Sequence, residues 1–75
     1  MDEFIANPGA LGRVVREARK RQGLTQEELA GLMGSGRRVI GDIENGKDTA
    51  QFGKVLLALN TLGVALHARA KWKRP

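Results

Sequence analysis

Cysteine and tyrosine are absent from this 75-residue chain, and aromatic residues make up only 4% of it. Without cysteine, the chain can form neither a disulfide framework nor a thiolate metal site. Domains shorter than roughly 80 residues seldom gain more than a few kcal/mol from the core alone, so they often add a disulfide, a metal or a second subunit. The absence of cysteine therefore favours dimerisation as the source of extra stability.

Long apolar runs are also missing. No run reaches the ~18 residues that a membrane span requires, and the N-terminal segment MDEFIANPGA lacks the basic and apolar blocks of a signal peptide. We therefore expect a cytoplasmic protein with no membrane partner.

Basic residues outnumber acidic ones. Thirteen lysines and arginines against eight aspartates and glutamates give a formal net charge of +5. Acidic residues cluster at 2–3, 27–28 and 42–48, whereas bases dominate 13–21 and 69–74. This separation suits a polyanionic partner, but plain solvation explains it equally well, so the placement of individual charges has to decide.

Apolar spacing and helix-ending signals predict an all-α domain. The clearest local signal is a capping box formed by Thr25 and Glu28 at the start of the second helix. The predicted helices cover about residues 8–21, 26–33, 37–44 and 52–62.

The third helix begins with two arginines, Arg37 and Arg38, at a terminus where the backbone amides already carry partial positive charge. At about 100° per residue, Ile40 and Ile43 fall on one arc of this helix, and the two arginines share the opposite arc with Asp42. This pattern leaves the arginines and Asp42 free to point away from a core.

Two short helices joined by a Gly-Ser-Gly turn are typical of a helix-turn-helix, whose second helix lays its first residues in the major groove of DNA. An arginine fork matches the O6 and N7 acceptors of guanine, and an aspartate can accept from the cytosine amino group. We therefore predict base contacts by Arg37, Arg38 and Asp42. The alternative is a solvated face with an Arg38–Asp42 pair.

After the fourth helix the apolar period changes from helical to alternating, which predicts a β-strand over about residues 63–72. One strand cannot satisfy its own backbone donors and acceptors, so we expect two copies to pair antiparallel across the two-fold axis of a homodimer. An irregular tail is the alternative. The predicted dimer interface consists of Val64, Leu66, Ala68, Ala70 and Trp72.

The segment LTQEELAGLMGSGRRVIGDIENGK, residues 24–47, resembles the helix-turn-helix of phage-repressor and Cro proteins, often called Xre-like. The motifs LTQEELA and IENGK, at this spacing, carry the resemblance, which extends from Leu11 to Val64. It implies that Gln26 contacts a phosphate and that the Asn-Gly-Lys turn lies near the DNA backbone. With the bases of the first helix added, the expected phosphate contacts are Gln26, Gly36, Lys47, Arg13, Arg19 and Arg21.

The third helix departs from the family pattern at its start and in its interior. Ser35-Gly36 stands where the family commonly has a pair such as Val-Ser, and Gly41 replaces a polar residue. Loss of a capping hydroxyl and an interior glycine both predict a weaker third helix.

With its C-terminal strand, the chain is similar to antitoxins of the HipB type. That resemblance implies a homodimer, a palindromic double-stranded DNA operator and a HipA-like kinase toxin as partner. The basic C-terminal residues, RAKWKRP, fit a DNA contact, a toxin contact or simple solubilisation.

Catalytic chemistry is not expected. The single histidine, His67, has no cysteine, second histidine or carboxylate pair at ligand spacing, and Ser35 has no base to activate it. We predict no enzyme activity, no cofactor, no metal and no small-molecule substrate.

The sequence thus predicts one domain over residues 1–75, with four to five helices, a helix-turn-helix at about 25–45 and a dimerising strand. Its predicted function is sequence-specific repression, as the autoregulating antitoxin of a HipBA-like pair. The alternatives are a toxin-neutralising interaction module with incidental DNA binding, a stand-alone phage-type repressor, and a sequence-indifferent nucleic-acid binder.

Overall fold

The computed structural model describes residues 2–72, and this part of the chain is all-α. The four helices and their predicted positions are confirmed, and no fifth helix forms among the described residues. None of these helices is long and apolar enough to cross a lipid bilayer. In chain order they are α1 (Pro8–Arg21), α2 (Gln26–Met33), α3 (Arg37–Glu44) and α4 (Phe52–Thr61).

Side-chain caps fix the starts of the first two helices. Asn7 Oδ1 accepts the Ala10 backbone N–H at 2.8 Å in α1. In α2, Thr25 Oγ1 accepts the Glu28 N–H at 3.0 Å, and Glu28 Oε1 accepts the Thr25 N–H at 2.8 Å, which confirms the capping box. By contrast, the residue before α3 is Gly36, which has no side chain to cap the helix. Packing therefore has to hold α3 in place.

The core lies around α3, which packs against each of the other three helices. Ile40 of α3 and Leu29 of α2 are completely buried. Apolar residues from all four helices surround them, so α3 is fixed by burial of its apolar side. The remaining core residues are Leu11, Val14, Val15, Ala18, Ala30, Met33, Ile43, Val55, Ala58, Leu59 and Leu62.

The end of α3 lies against the start of α1. Gly46 follows α3 with a φ of 72°, a left-handed conformation that glycine adopts without steric cost. A β-carbon at this position would lie 2.7 Å from Gly9 Cα, so the two backbones leave no room for a side chain. The Lys47 N–H then donates to the Asp42 carbonyl at 3.0 Å, which satisfies the helix end.

The predicted C-terminal strand is not formed. Residues 64–71 have no regular secondary structure, and the last backbone–backbone hydrogen bond along the described chain runs from Val64 N–H to the Leu59 carbonyl at 2.9 Å. A strand needs a neighbouring strand to bond with, and none of the described residues supplies one. Only Arg69 to Trp72 of the basic tail is described, because residues 73–75 lie outside this range.

Candidate nucleic-acid interface

The two sides of α3 have opposite characters. Ile40 is 0% and Ile43 3% exposed, whereas Arg37 and Arg38 are exposed and Asp42 is partly exposed. The arcs predicted from the sequence are therefore confirmed. Cationic side chains at the first turn of α3 face outward, where a polyanion can offset the unfavourable helix dipole.

Asp42 pairs with a different cation from the one considered in the sequence analysis. Lys47 Nζ lies 3.6 Å from Asp42 Oδ2, and none of the ion pairs among the described residues joins Arg38 to Asp42. The suggested Arg38–Asp42 pair is therefore absent. Both members of the observed pair keep a third or more of their side-chain surface exposed, so the pair is of the weak surface kind.

Arg19 was expected at a phosphate, but the structure places it inside the fold. It is only 8% exposed, and its Nε lies 2.7 Å from Glu44 Oε2. Its two terminal nitrogens donate to Glu44 Oε1 at 2.9 Å and to the Leu24 carbonyl at 2.8 Å. The guanidinium cannot reach a phosphate from this position, so the prediction for Arg19 is wrong.

Glu44 is the buried partner of Arg19 and Gln26, and the sequence pattern did not identify it. Burial raises the pKa of Glu44, but hydrogen bonds from Arg19 and Gln26, together with the nearby positive charges, bring that pKa below its ordinary value. The hydrogen bond to Glu44 raises the pKa of Arg19, and burial opposes this with a smaller effect. Both groups are therefore held in their charged forms.

Gln26 lies at the start of α2 and is partly exposed. Its Nε2 donates to Glu44 Oε1 at 3.0 Å, so one amide hydrogen is bonded inside the protein. Gln26 therefore joins the surface of the helix-turn-helix to the buried ion pair.

The other predicted phosphate contacts lie on the surface. Gly36, Arg13, Arg21 and Lys47 are all exposed. Arg21 Nη2 lies 2.7 Å from Glu17 Oε1, one turn earlier on α1, and both side chains are largely exposed. Because such exposed pairs are weak, Arg21 can leave the Glu17 carboxylate and bind a phosphate at a small cost in free energy.

The predicted interface residues and α4 present apolar surface. Leu66 is 45% and Trp72 74% exposed, while Val64 packs partly against the core. Leu56 and Leu57 of α4 are also substantially exposed, and they line an open groove together with Leu66. His67 is exposed, and no cluster of three potential metal-binding side chains occurs among residues 2–72.

Comparison with known proteins identifies the family. The family described as helix-turn-helix matches residues 15–68. The chain belongs to the helix-turn-helix family. It is 49% identical over 74 residues to the uncharacterized HTH-type transcriptional regulator y4mF of Sinorhizobium fredii (strain NBRC 101917 / NGR234), covering 99% of this chain and 97% of that protein. The resemblance to Xre-like regulators is confirmed, and these proteins are transcriptional regulators rather than enzymes.

Solved structures share the fold of this helix-turn-helix protein. A chain of a HipA-HipB-O2-O3 complex has a TM-score of 0.84 at 24% identity, covering 95% of this chain and 100% of that chain. The restriction-modification controller protein C.AhdI from Aeromonas hydrophila has a TM-score of 0.67 at 31% identity, covering 77% of this chain and 84% of that chain. The fold is thus shared with HipB-type and controller-type regulators.

Proposed function

We propose that this helix-turn-helix regulator is a sequence-specific repressor that binds a pseudo-palindromic operator as a homodimer. Each α3 enters one of two successive major grooves, which lie about 34 Å apart. The observation that carries the proposal is the exposure of Arg37 and Arg38 at the first turn of α3. Neither arginine belongs to an ion pair among the described residues. Both guanidinium groups can therefore donate to the O6 and N7 acceptors of guanine.

In this proposal Asp42 is the third base-reading residue, one turn beyond the arginines. Phosphates bind around these residues and fix the register of the protein on the duplex. Arg19 is excluded from the phosphate set because it is buried. The proposed phosphate contacts are Gln26, Gly36, Lys47, Arg13 and Arg21.

The proposed dimer forms through residues 64–72. Their alternating apolar pattern supports strand pairing with a second copy, and the exposure of Leu66 and Trp72 leaves apolar surface for that copy to cover. Leu56 and Leu57 of α4 extend the same apolar surface. Two symmetric copies would place two recognition helices on one face of the dimer.

The finer proposal is that the protein is an antitoxin that binds a HipA-like kinase toxin and represses its own promoter. The shared fold with a chain of a HipA-HipB-O2-O3 complex supports it, and the step from fold to partner is an analogy. The likeness to the controller protein C.AhdI favours a second candidate, a stand-alone regulator without a toxin. Co-purification of a kinase-fold protein encoded by the adjacent gene distinguishes the two.

Duplexes selected from a random library by the wild-type protein test the DNA proposal. Each bidentate arginine–guanine contact contributes about 1–3 kcal/mol, so we expect R37A/R38A to bind the selected duplex about thirtyfold more weakly or worse. The matched control R16A/K20A removes the same charge from exposed positions of α1. A protein-interaction module or a sequence-indifferent binder would show no greater loss in the first variant than in the control.

A further inference from the structure

The buried ion pair holds the side-chain amide of Gln26 in one orientation. Gln26 Nε2 donates to Glu44 Oε1 at 3.0 Å, and the same oxygen accepts from Arg19 Nη2 at 2.9 Å. An ionised carboxylate only accepts hydrogen bonds, so the nitrogen of the amide has to face Glu44 and its oxygen has to face away. Chemistry as well as packing therefore fixes the direction of this amide.

We propose that Glu44 is a positioning residue for DNA binding, which orients Gln26 toward a phosphate. The inference rests on the proposed function, in which Gln26 is a phosphate contact. The amide nitrogen carries two hydrogens, and Glu44 takes one of them, so the second remains for the DNA. Holding the side chain before binding reduces the conformational entropy lost in the complex.

The location of Gln26 favours an anion at this point. It is the first residue of α2, where backbone N–H groups lack partners within the helix and the helix dipole is positive. Thr25 takes the Glu28 N–H, so the cap does not occupy the amides of Gln26 and Glu27. The oriented side chain and the helix terminus therefore attract the same charge.

One carboxylate joins the three helices that matter for register. Glu44 ends α3, Arg19 lies in α1 and Gln26 begins α2, and both nitrogen donors reach the same side chain. A phosphate contact on α2 is thereby placed at a fixed position relative to the base-reading residues of α3. Phosphate contacts set register, so this connection influences which bases the arginines meet.

A double-mutant cycle of Q26A and E44Q on the selected duplex tests the inference. E44Q replaces one of the two oxygens that accept from Arg19 with an NH2 group and removes the negative charge that attracts the Gln26 amide, so Gln26 is no longer held by a carboxylate. We expect about tenfold weaker binding for each single variant, the size of one hydrogen bond to a charged group, and no further loss in the double variant. If the two changes instead weakened binding independently, the fold-loss of the double variant would be the product of the two single fold-losses.

The position of the lost phosphate contact supplies a readout that a purely structural role does not change. Ethylation of one phosphate of the selected duplex removes the acceptor that the Gln26 amide needs, so it should weaken binding of the wild-type protein at that phosphate. We expect this interference to disappear at the same phosphate in Q26A, in E44Q and in the double variant. Interference at that phosphate in E44Q as strong as in the wild type would overturn the inference.

Two further variants control for charge and folding. E3Q removes one negative charge from an exposed position outside the proposed interface, and it provides the reference for E44Q. In R19M/E44M, apolar side chains replace the buried pair, a change that commonly preserves folding. It should reproduce the loss seen in E44Q, because in both variants Gln26 loses the carboxylate that holds it.

The outcomes separate this inference from the proposed function. The role of Glu44 is overturned if the fold-losses of Q26A and E44Q multiply in the double variant. It is also overturned if the Glu44 variants bind the duplex as tightly as E3Q does. If Q26A binds like the wild type while R37A/R38A does not, the positioning role is refuted and the repressor proposal stands. If R37A/R38A also binds like the wild type, both fail.

Discussion

The backbone carbonyl oxygen of Glu44 lies 2.8 Å from the position that a β-carbon on Gly12 would occupy. Helices α1 and α3 therefore meet backbone to backbone at this point, and the neighbouring Ile43 carbonyl is closer still. The side chain of Arg19, about two turns further along α1, bonds to the same Glu44. Close approach and the ion pair together fix how α3 lies on α1.

We predict that G12A destabilises the fold by about 1–3 kcal/mol, because the added methyl group has to push α3 away from α1. Denaturant unfolding measures this loss directly. The control is G31A, at a helical position with nothing within 4 Å of the added carbon. Equal stability of the two variants would contradict the backbone contact.

Acid should destabilise the protein through Glu44. Its pKa is lowered by Arg19 and Gln26 despite the opposing effect of burial, so its ionised form is favoured in the folded state. A lowered pKa gives stability that is complete above the ordinary carboxyl pKa of about 4.3 and is lost as pH falls through the folded-state value. Thermal unfolding followed from pH 7 downward should show this loss, and R19M/E44M should lack it.

Glu28 adds a second, separable contribution to this acid sensitivity. Its hydrogen bonds with the Thr25 backbone N–H and the Thr25 hydroxyl lower its pKa, which has the same sign of effect on stability. E28Q keeps an acceptor for the capping box but cannot titrate. If E28Q alone abolished the acid response, the assignment to Glu44 would be wrong.

Local signals explain why the helices could be predicted and the end of the chain could not. Caps and apolar spacing are properties of neighbouring residues, so α1 to α4 follow from sequence. A strand depends on a partner that need not belong to the same chain. The alternating pattern of residues 64–72 therefore predicts that this segment can form a β-strand. The described residues contain no neighbouring strand to form the hydrogen-bond ladder with it.

The error at Arg19 came from treating every charge on α1 as exposed. Arg19 follows Leu11 and Val15 at intervals of four residues, so it lies on the buried arc of the helix. A charged residue on such an arc needs a buried partner. This spacing was the signal for an acidic partner, but it does not identify Glu44, which is distant in sequence.

Alanine at Gly41 should stabilise α3. Both Gly41 and Gly31 lie inside helices, and a β-carbon at either position meets nothing within 4 Å. G41A and G31A should each raise the free energy of unfolding by about 0.5–1 kcal/mol, as measured in urea. Gly41 shares the arc of Arg37 and Arg38, so only G41A should also alter binding to the selected duplex. Destabilisation by either change would refute the prediction.

Asp42 should affect the choice of DNA sequence more than stability. Its pair with Lys47 is exposed and 3.6 Å long, and such pairs contribute about 0–1 kcal/mol. D42N should therefore unfold almost like the wild type, but it should select a duplex that differs at a base pair in each half-site. D48N removes the same charge from the adjacent exposed turn and should select the wild-type duplex. Identical selections by both variants would remove Asp42 from the base-reading set.

The C-terminal segment allows dimerisation to be tested apart from folding. Residues 65–72 make no backbone–backbone hydrogen bonds within the described chain, so L66P should leave the thermal stability of the monomer nearly unchanged. In a strand pair, however, proline removes a ladder donor and disrupts the extended backbone. We expect L66P to sediment as a monomer and to bind the selected duplex much more weakly, because the two recognition helices are no longer linked. L66V keeps both the donor and the apolar contact, so it should remain dimeric. A dimeric L66P would show that the copies associate through another surface, with the exposed leucines of α4 as the first to examine.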